Sequence, residues 1–119
     1  MITIYHNPRC SKSREALTLV EHFSAAKELT LHVVDYQKTP LTLTQLISLQ
    51  QQLGVAVREM VRDNEEEYAS LNLAQADDAT LLQAVEAHPK LLQRPIVVRN
   101  ARAVIGRPPE RINVLLQPS

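Results

Sequence analysis

The chain has 119 residues, enough for one compact domain with its own core and no need of disulfides or a structural metal. Thirteen basic and thirteen acidic residues cancel, so no overall field draws the protein to nucleic acid or an anionic membrane, and any anion site has to be local. No stretch approaches the roughly twenty apolar residues of a membrane span, the first residues lack the apolar run of a signal peptide, and one cysteine cannot form an internal disulfide; the expectation is a cytoplasmic monomer.

Residues 2–5, Ile-Thr-Ile-Tyr, read as a short strand. After Pro8 a helix opens near Ser11 or Ser13, either of which suits an N-cap. Ala16, Leu17, Val20 and Phe23 recur at i, i+3, i+4 spacing and predict one buried stripe. Residues 29–36 read as the next strand, with Leu29, Leu31 and Val33 alternating against Thr30 and His32. Strand, helix and strand of these lengths form a right-handed βαβ unit with parallel strands. Cys10 then lies at the carboxyl end of the first strand, where open α/β sheets place their chemistry.

The middle of the chain reads as helical. Thr42-x-x-Gln45 has the form of a capping box, Leu46, Ile47, Leu49 and Leu53 supply a stripe, and Gly54 suits a C-terminal stop. A shorter helix runs through Val57, Met60 and Val61, and the acidic run at residues 63–67 is a solvated face or a helix start. Asp77 or Asp78 caps a further helix through Leu81, Leu82 and Val85, which Pro89 ends. Residues 95–98 and 103–105 are two short strands joined as a hairpin. Pro108 and Pro109 open a last helix with Ile112, Leu115 and Leu116 inward. The whole is a single domain with helices inserted at about residues 42–92.

A lone cysteine is usually a small buried hydrophobe, yet Cys10 stands in Pro-Arg-Cys-Ser-Lys-Ser, beside Arg9, Lys12 and Arg14, with no acid before Glu15. A thiol at a helix start among cations favours the thiolate, which makes Cys10 a candidate nucleophile. The order β-α-β, helices, β-β-α with a reactive cysteine after the first strand is that of a thioredoxin-like α/β domain with a mixed sheet. Ser13 stands where a Cys-x-x-Cys motif has its resolving thiol. The reducing equivalents must therefore come from another molecule, a small thiol or a redox protein.

Arginines supply the other half of the site. Arg62 follows the short middle helix, Arg94 precedes Pro95 at the third strand, and Arg107 follows Gly106 after the fourth. Three guanidiniums converging on a thiolate would bind a tetrahedral oxyanion and depress the thiol pKa. Arg58, Arg99, Arg102 and Arg111 read more simply as surface charges. Pro95 opens a strand opposite the cysteine loop, where thioredoxin-like folds carry a cis peptide, so a cis Arg94–Pro95 bond is expected. His22, His32 and His88 have no metal-ligand spacing with Cys10, and neither a metal nor a bound cofactor is expected.

Tyr5-His-Asn-Pro-Arg-Cys10, Val57-Arg-Glu-Met-Val-Arg-Asp-Asn64, the segment from His88 through Arg94-Pro95 to Val98, and Gly106-Arg-Pro108 resemble, in order and over nearly the whole chain, the glutaredoxin-linked arsenate reductase (ArsC-like) family. The Arg-Cys-Ser-Lys-Ser form is similar to one bacterial branch of it. The resemblance implies a thioredoxin-like fold with an inserted helical region and reduction of arsenate to arsenite with glutathione as co-substrate and glutaredoxin as partner. By motif it makes Cys10 the nucleophile, His6 the histidine that keeps the thiol ionised, and Arg62, Arg94 and Arg107 the oxyanion-binding arginines. The helix-start amides at Ser11 would cradle the same anion.

Two other classes fit parts of the pattern. A redox-responsive regulator of the Spx type, which binds RNA polymerase, resembles the family in fold but carries a Cys-x-x-Cys switch that Ser13 removes. A monothiol oxidoreductase acting on another substrate is the second. A phosphatase loop, Cys-x5-Arg, is not matched, because Arg14 follows Cys10 too closely.

Overall fold

The computed structural model describes residues 1–116. Four strands, β1 (Ile2–His6), β2 (Leu31–Asp35), β3 (Ile96–Arg99) and β4 (Arg102–Ile105), form one mixed sheet in the order β2-β1-β3-β4. β1 and β2 are parallel, pairing Ile2 with Leu31 and His6 with Asp35. β3 is antiparallel to β1 and to β4. Fold class is therefore α/β and thioredoxin-like, with β1 central and the Cys10 loop at its carboxyl end.

The chain divides into two compact units, one made of Met1–Thr39 together with the chain from Arg94 onward, the other of Pro40–Gln93. In the first, helix α1 (Ser11–Lys27) and a 3-10 segment (Pro109–Leu115) pack on the sheet. The core of this unit is Ile2, Ile4, Ala16, Val20, Val97, Ile112 and Leu115, with Leu17 and Phe23 partly buried beside it. Each isoleucine fully buried there contributes about 1.5–3 kcal/mol. The last element is 3-10 rather than the α-helix expected, but Ile112 and Leu115 point inward as their spacing requires.

β2 departs from its expected pattern. It starts at Leu31, not residue 29, and Val33 is 44% exposed while Val34 is the more covered neighbour. Its place at the sheet edge explains this, because an edge strand has a partner on one side only and its apolar alternation is not enforced. The hairpin between β3 and β4 turns on Asn100 and Ala101, both at positive φ, the conformation of a two-residue primed turn.

In the second unit, α2 (Leu43–Leu53) begins at the expected capping box, with Gln45 N–H donating to Thr42 Oγ1 and Thr42 N–H to Gln45 Oε1. It stops at Gly54, whose φ of 65° is the left-handed cap that glycine adopts without penalty. Leu46 and Leu49 are buried, but Ile47 faces outward at 42% exposure, one step off the stripe. A 3-10 turn (Val57–Met60) and the short helix α3 (Glu66–Ser70) follow, the latter starting inside the acidic run. α4 (Asp78–Ala87) is capped by Asp77, which accepts from Thr80 N–H, and packs on α2. No helix among the described residues is long and apolar enough to cross a membrane.

Candidate active site

The loop after β1 is built around Asn7, a residue the sequence did not single out. Its Oδ1 accepts from Arg9 N–H at 3.0 Å and its carbonyl accepts from Cys10 N–H at 3.0 Å, an Asx-type turn that delivers the cysteine to the helix. Asn7 N–H in turn donates to Ser13 Oγ, and Arg14 Nη1 donates to the Pro8 carbonyl at 3.0 Å. Asn-Pro before a cysteine was the available signal, since asparagine favours such turns.

Cys10 itself is the N-cap of α1. Neither Ser11 nor Ser13 caps the helix as expected: Ser11 is its exposed first residue, and Ser13 is fully buried with its hydroxyl engaged by Asn7. The consequence is electrostatic, because the free amides of the first turn face the sulfur instead of a serine oxygen. Burial alone would raise the Cys10 pKa. Hydrogen bonds from the Ser13 N–H, the Arg94 side chain and the Lys12 N–H, with the Arg94 charge, outweigh it and bring the thiol down to about 7. The first turn carries no acidic residue, and the thiol stays partly exposed.

Arg94 reaches Cys10 from two residues before β3, and the Arg94–Pro95 bond is cis as expected. Pro95 is buried, and its carbonyl accepts from Gly106 N–H at 2.8 Å. Arg107 Nη1 donates to the Arg94 carbonyl at 3.3 Å, so the loops before β3 and after β4 bring two of the three predicted arginines side by side. The Arg107–Pro108 bond is also cis. Arg62 belongs to the helical unit, where its N–H donates to the Leu91 carbonyl at 2.8 Å and its Nε lies 3.7 Å from Glu65 Oε1.

His6 ends β1 and is 6% exposed, opposite Asp35 in the sheet register. Burial lowers its pKa; Asp35 and the Ser13 backbone pull upward, and Arg14 adds to the lowering. The imidazole is thus held toward its neutral form, which leaves a ring able to donate one hydrogen bond. Among the described residues no three His, Cys, Asp or Glu side chains group to hold a metal ion.

Two arginines expected to be plain surface charges are structural. Arg58 donates to Tyr68 Oη and to the Leu73 and Ala76 carbonyls. Arg99 lies over the Phe23 ring at 5.0 Å and donates to the Leu115 carbonyl at 2.8 Å.

Residues 5–115, from the strand before Cys10 to the C-terminal turn, match the model of the ArsC family. The chain belongs to the ArsC family. Similar proteins include an arsenate reductase from Neisseria meningitidis, 45% identical over 97% of this chain and 97% of the relative. Uncharacterized protein YfgD of Escherichia coli is also 45% identical, over 93% of this chain and 92% of its own. Among solved structures, arsenate reductase from Vibrio cholerae superposes with a TM-score of 0.87 at 46% identity, covering 95% of each chain. The likeness therefore spans nearly the whole chain, including the thiol loop and the loops that carry Arg94 and Arg107.

Proposed function

We propose that this ArsC-family protein is an enzyme reducing arsenate to arsenite through a covalent adduct on Cys10, with glutathione and glutaredoxin as the external reductants in the cytoplasm. The single observation that carries the proposal is the seat of Cys10, a helix N-cap whose sulfur receives the Ser13 and Lys12 amides and the Arg94 side chain. Arsenate reductases of high similarity along nearly the whole chain support the choice of oxyanion.

In the cycle, the Cys10 thiolate attacks arsenic and forms an S–As bond as an As–O bond breaks, the departing hydroxyl taking a proton from solvent and leaving as water. Arg94 and Arg107 neutralise the oxyanion, and the amides from Ser11 onward receive its oxygens. Arg62 is assigned to the same anion on the strength of the family motif. A glutathione thiolate then attacks the Cys10 sulfur; an S–S bond forms as the S–As bond breaks, and that electron pair stays on arsenic as arsenite leaves. Glutaredoxin removes glutathione from the mixed disulfide and restores Cys10. His6, buried at the end of β1, is assigned by the family motif to keeping the Cys10 thiol ionised.

The test is an arsenate reduction assay with glutathione and glutaredoxin on wild type, Cys10→Ser and Arg94→Ala. Turnover by wild type that both variants lose is the expected result. A folded wild type with a low-pKa thiol and no turnover overturns the choice of arsenate.

A further inference from the structure

Beside the Cys10 loop lies a cleft of about 310 Å³ lined by Asn7, Pro8, Arg9, Asp35, Gln37 and Lys38. Pockets that hold small organic ligands begin at roughly this size, about 300 Å³. All six residues belong to the unit that carries the thiol, and Arg9 is its immediate neighbour.

The cleft is chemically mixed in a particular way. Among the described residues, the Arg9 and Lys38 side chains make no ion pair and no hydrogen bond, so two cationic heads are available at its walls. Asp35 commits one carboxylate oxygen, Oδ1, to the Gln37 and Lys38 amides, which fixes the turn after β2 and leaves Oδ2 without a hydrogen bond among those residues. Two positive charges and one negative, carried on a pinned loop and a pinned turn, are the complement of a ligand with two carboxylates and one ammonium. A simple oxyanion would gain nothing from Asp35. Because Ser13 replaces a resolving thiol, the chain also needs a small external thiol delivered next to Cys10.

We propose that this cleft is the docking site of the thiol co-substrate, a zwitterionic thiol peptide of the glutathione class, with its carboxylates on Arg9 and Lys38 and its ammonium on Asp35. The assignment rests on the proposed function only in requiring an external thiol, and it adds where that thiol sits and what recognises it.

A direct test uses disulfide exchange and no arsenate. The Cys10 thiolate attacks one sulfur of glutathione disulfide, forming the mixed disulfide and releasing glutathione thiolate; 2-hydroxyethyl disulfide, which carries no charge, undergoes the same reaction. Wild type is expected to favour glutathione disulfide. The double variant Arg9→Gln/Lys38→Gln should react with it about tenfold more slowly, the loss of two partly exposed ion pairs. The groups that hold the Cys10 pKa down are the Ser13 and Lys12 amides and Arg94 rather than Arg9 or Lys38, so the variant's rate with 2-hydroxyethyl disulfide, which reports folding and thiolate content, should stay within about twofold of wild type. A preference that survives in the variant, or that wild type lacks, overturns the cleft. A preference that behaves as expected in a protein inert to arsenate upholds the cleft and overturns the arsenate reading alone.

Discussion

Asn7 N–H donates to Ser13 Oγ at 3.3 Å, and both residues are buried. The position where a dithiol enzyme keeps its second sulfur is thus used here to tie down the loop that presents the first. Ser13 acts twice, through its hydroxyl on Asn7 and through its N–H on the Cys10 thiol.

Ser13→Ala separates these two contributions. It leaves a buried amide at Asn7 unsatisfied, which should cost about 1–2 kcal/mol in urea denaturation. The amide at position 13 remains, so the midpoint of thiolate formation, followed by absorbance at 240 nm or by iodoacetamide labelling, should stay close to that of wild type.

Arg94→Ala should move that midpoint upward from about 7 toward the free-thiol value of about 8.5. It should also lower kcat/KM for arsenate about ten- to a hundredfold, the effect of removing one charge-assisted contact. The sign of the linked stability is set by the depressed pKa. Cys10 prefers the thiolate when folded, so its contribution is complete above the unfolded value and is lost as pH falls through about 7. The stability difference between wild type and Cys10→Ser should therefore grow between pH 7 and about 8.5 and flatten on either side.

Gly106→Ala tests the support beneath Arg94. A Cβ at position 106 would stand 3.0 Å from Pro95 Cγ and 3.1 Å from Ile112 Cγ2, neither of which is a free end able to swing away. Overpacking of this kind costs about 1–3 kcal/mol. Thermal unfolding should register it, and arsenate turnover should fall as Pro95 and Arg94 shift.

Arg58→Ala removes three hydrogen bonds that brace the segment from α3 to Ala76. A loss of about 1–2 kcal/mol is expected, with faster amide exchange over residues 66–76. Arg102→Ala, at an exposed strand start, should change stability by less than about 0.5 kcal/mol.

Local chemistry was legible wherever a side chain answers its own backbone. The Thr42–Gln45 box, the Gly54 stop, the Asp77 cap and the parallel β1–β2 pair all follow from residues close in sequence. Expectations failed where a competing partner lay outside the local window. Ser13 lost its capping role to Asn7, Val33 lost its burial to the sheet edge, and Arg58 and Arg99 gained carbonyl partners from distant segments.

By itself, then, the chain order determined that a lone thiol would sit between a strand and a helix, among cations, with no second sulfur to complete a cycle. Only the tertiary structure decided that sulfur's charge state. A cap position, two amides of the first helical turn and the Arg94 side chain from a far part of the chain meet at one atom; hydrogen bonds act only at contact, and the Coulomb attraction weakens with distance and with exposure to water. Burial likewise held His6 toward neutrality, a property of its surroundings that no motif encodes.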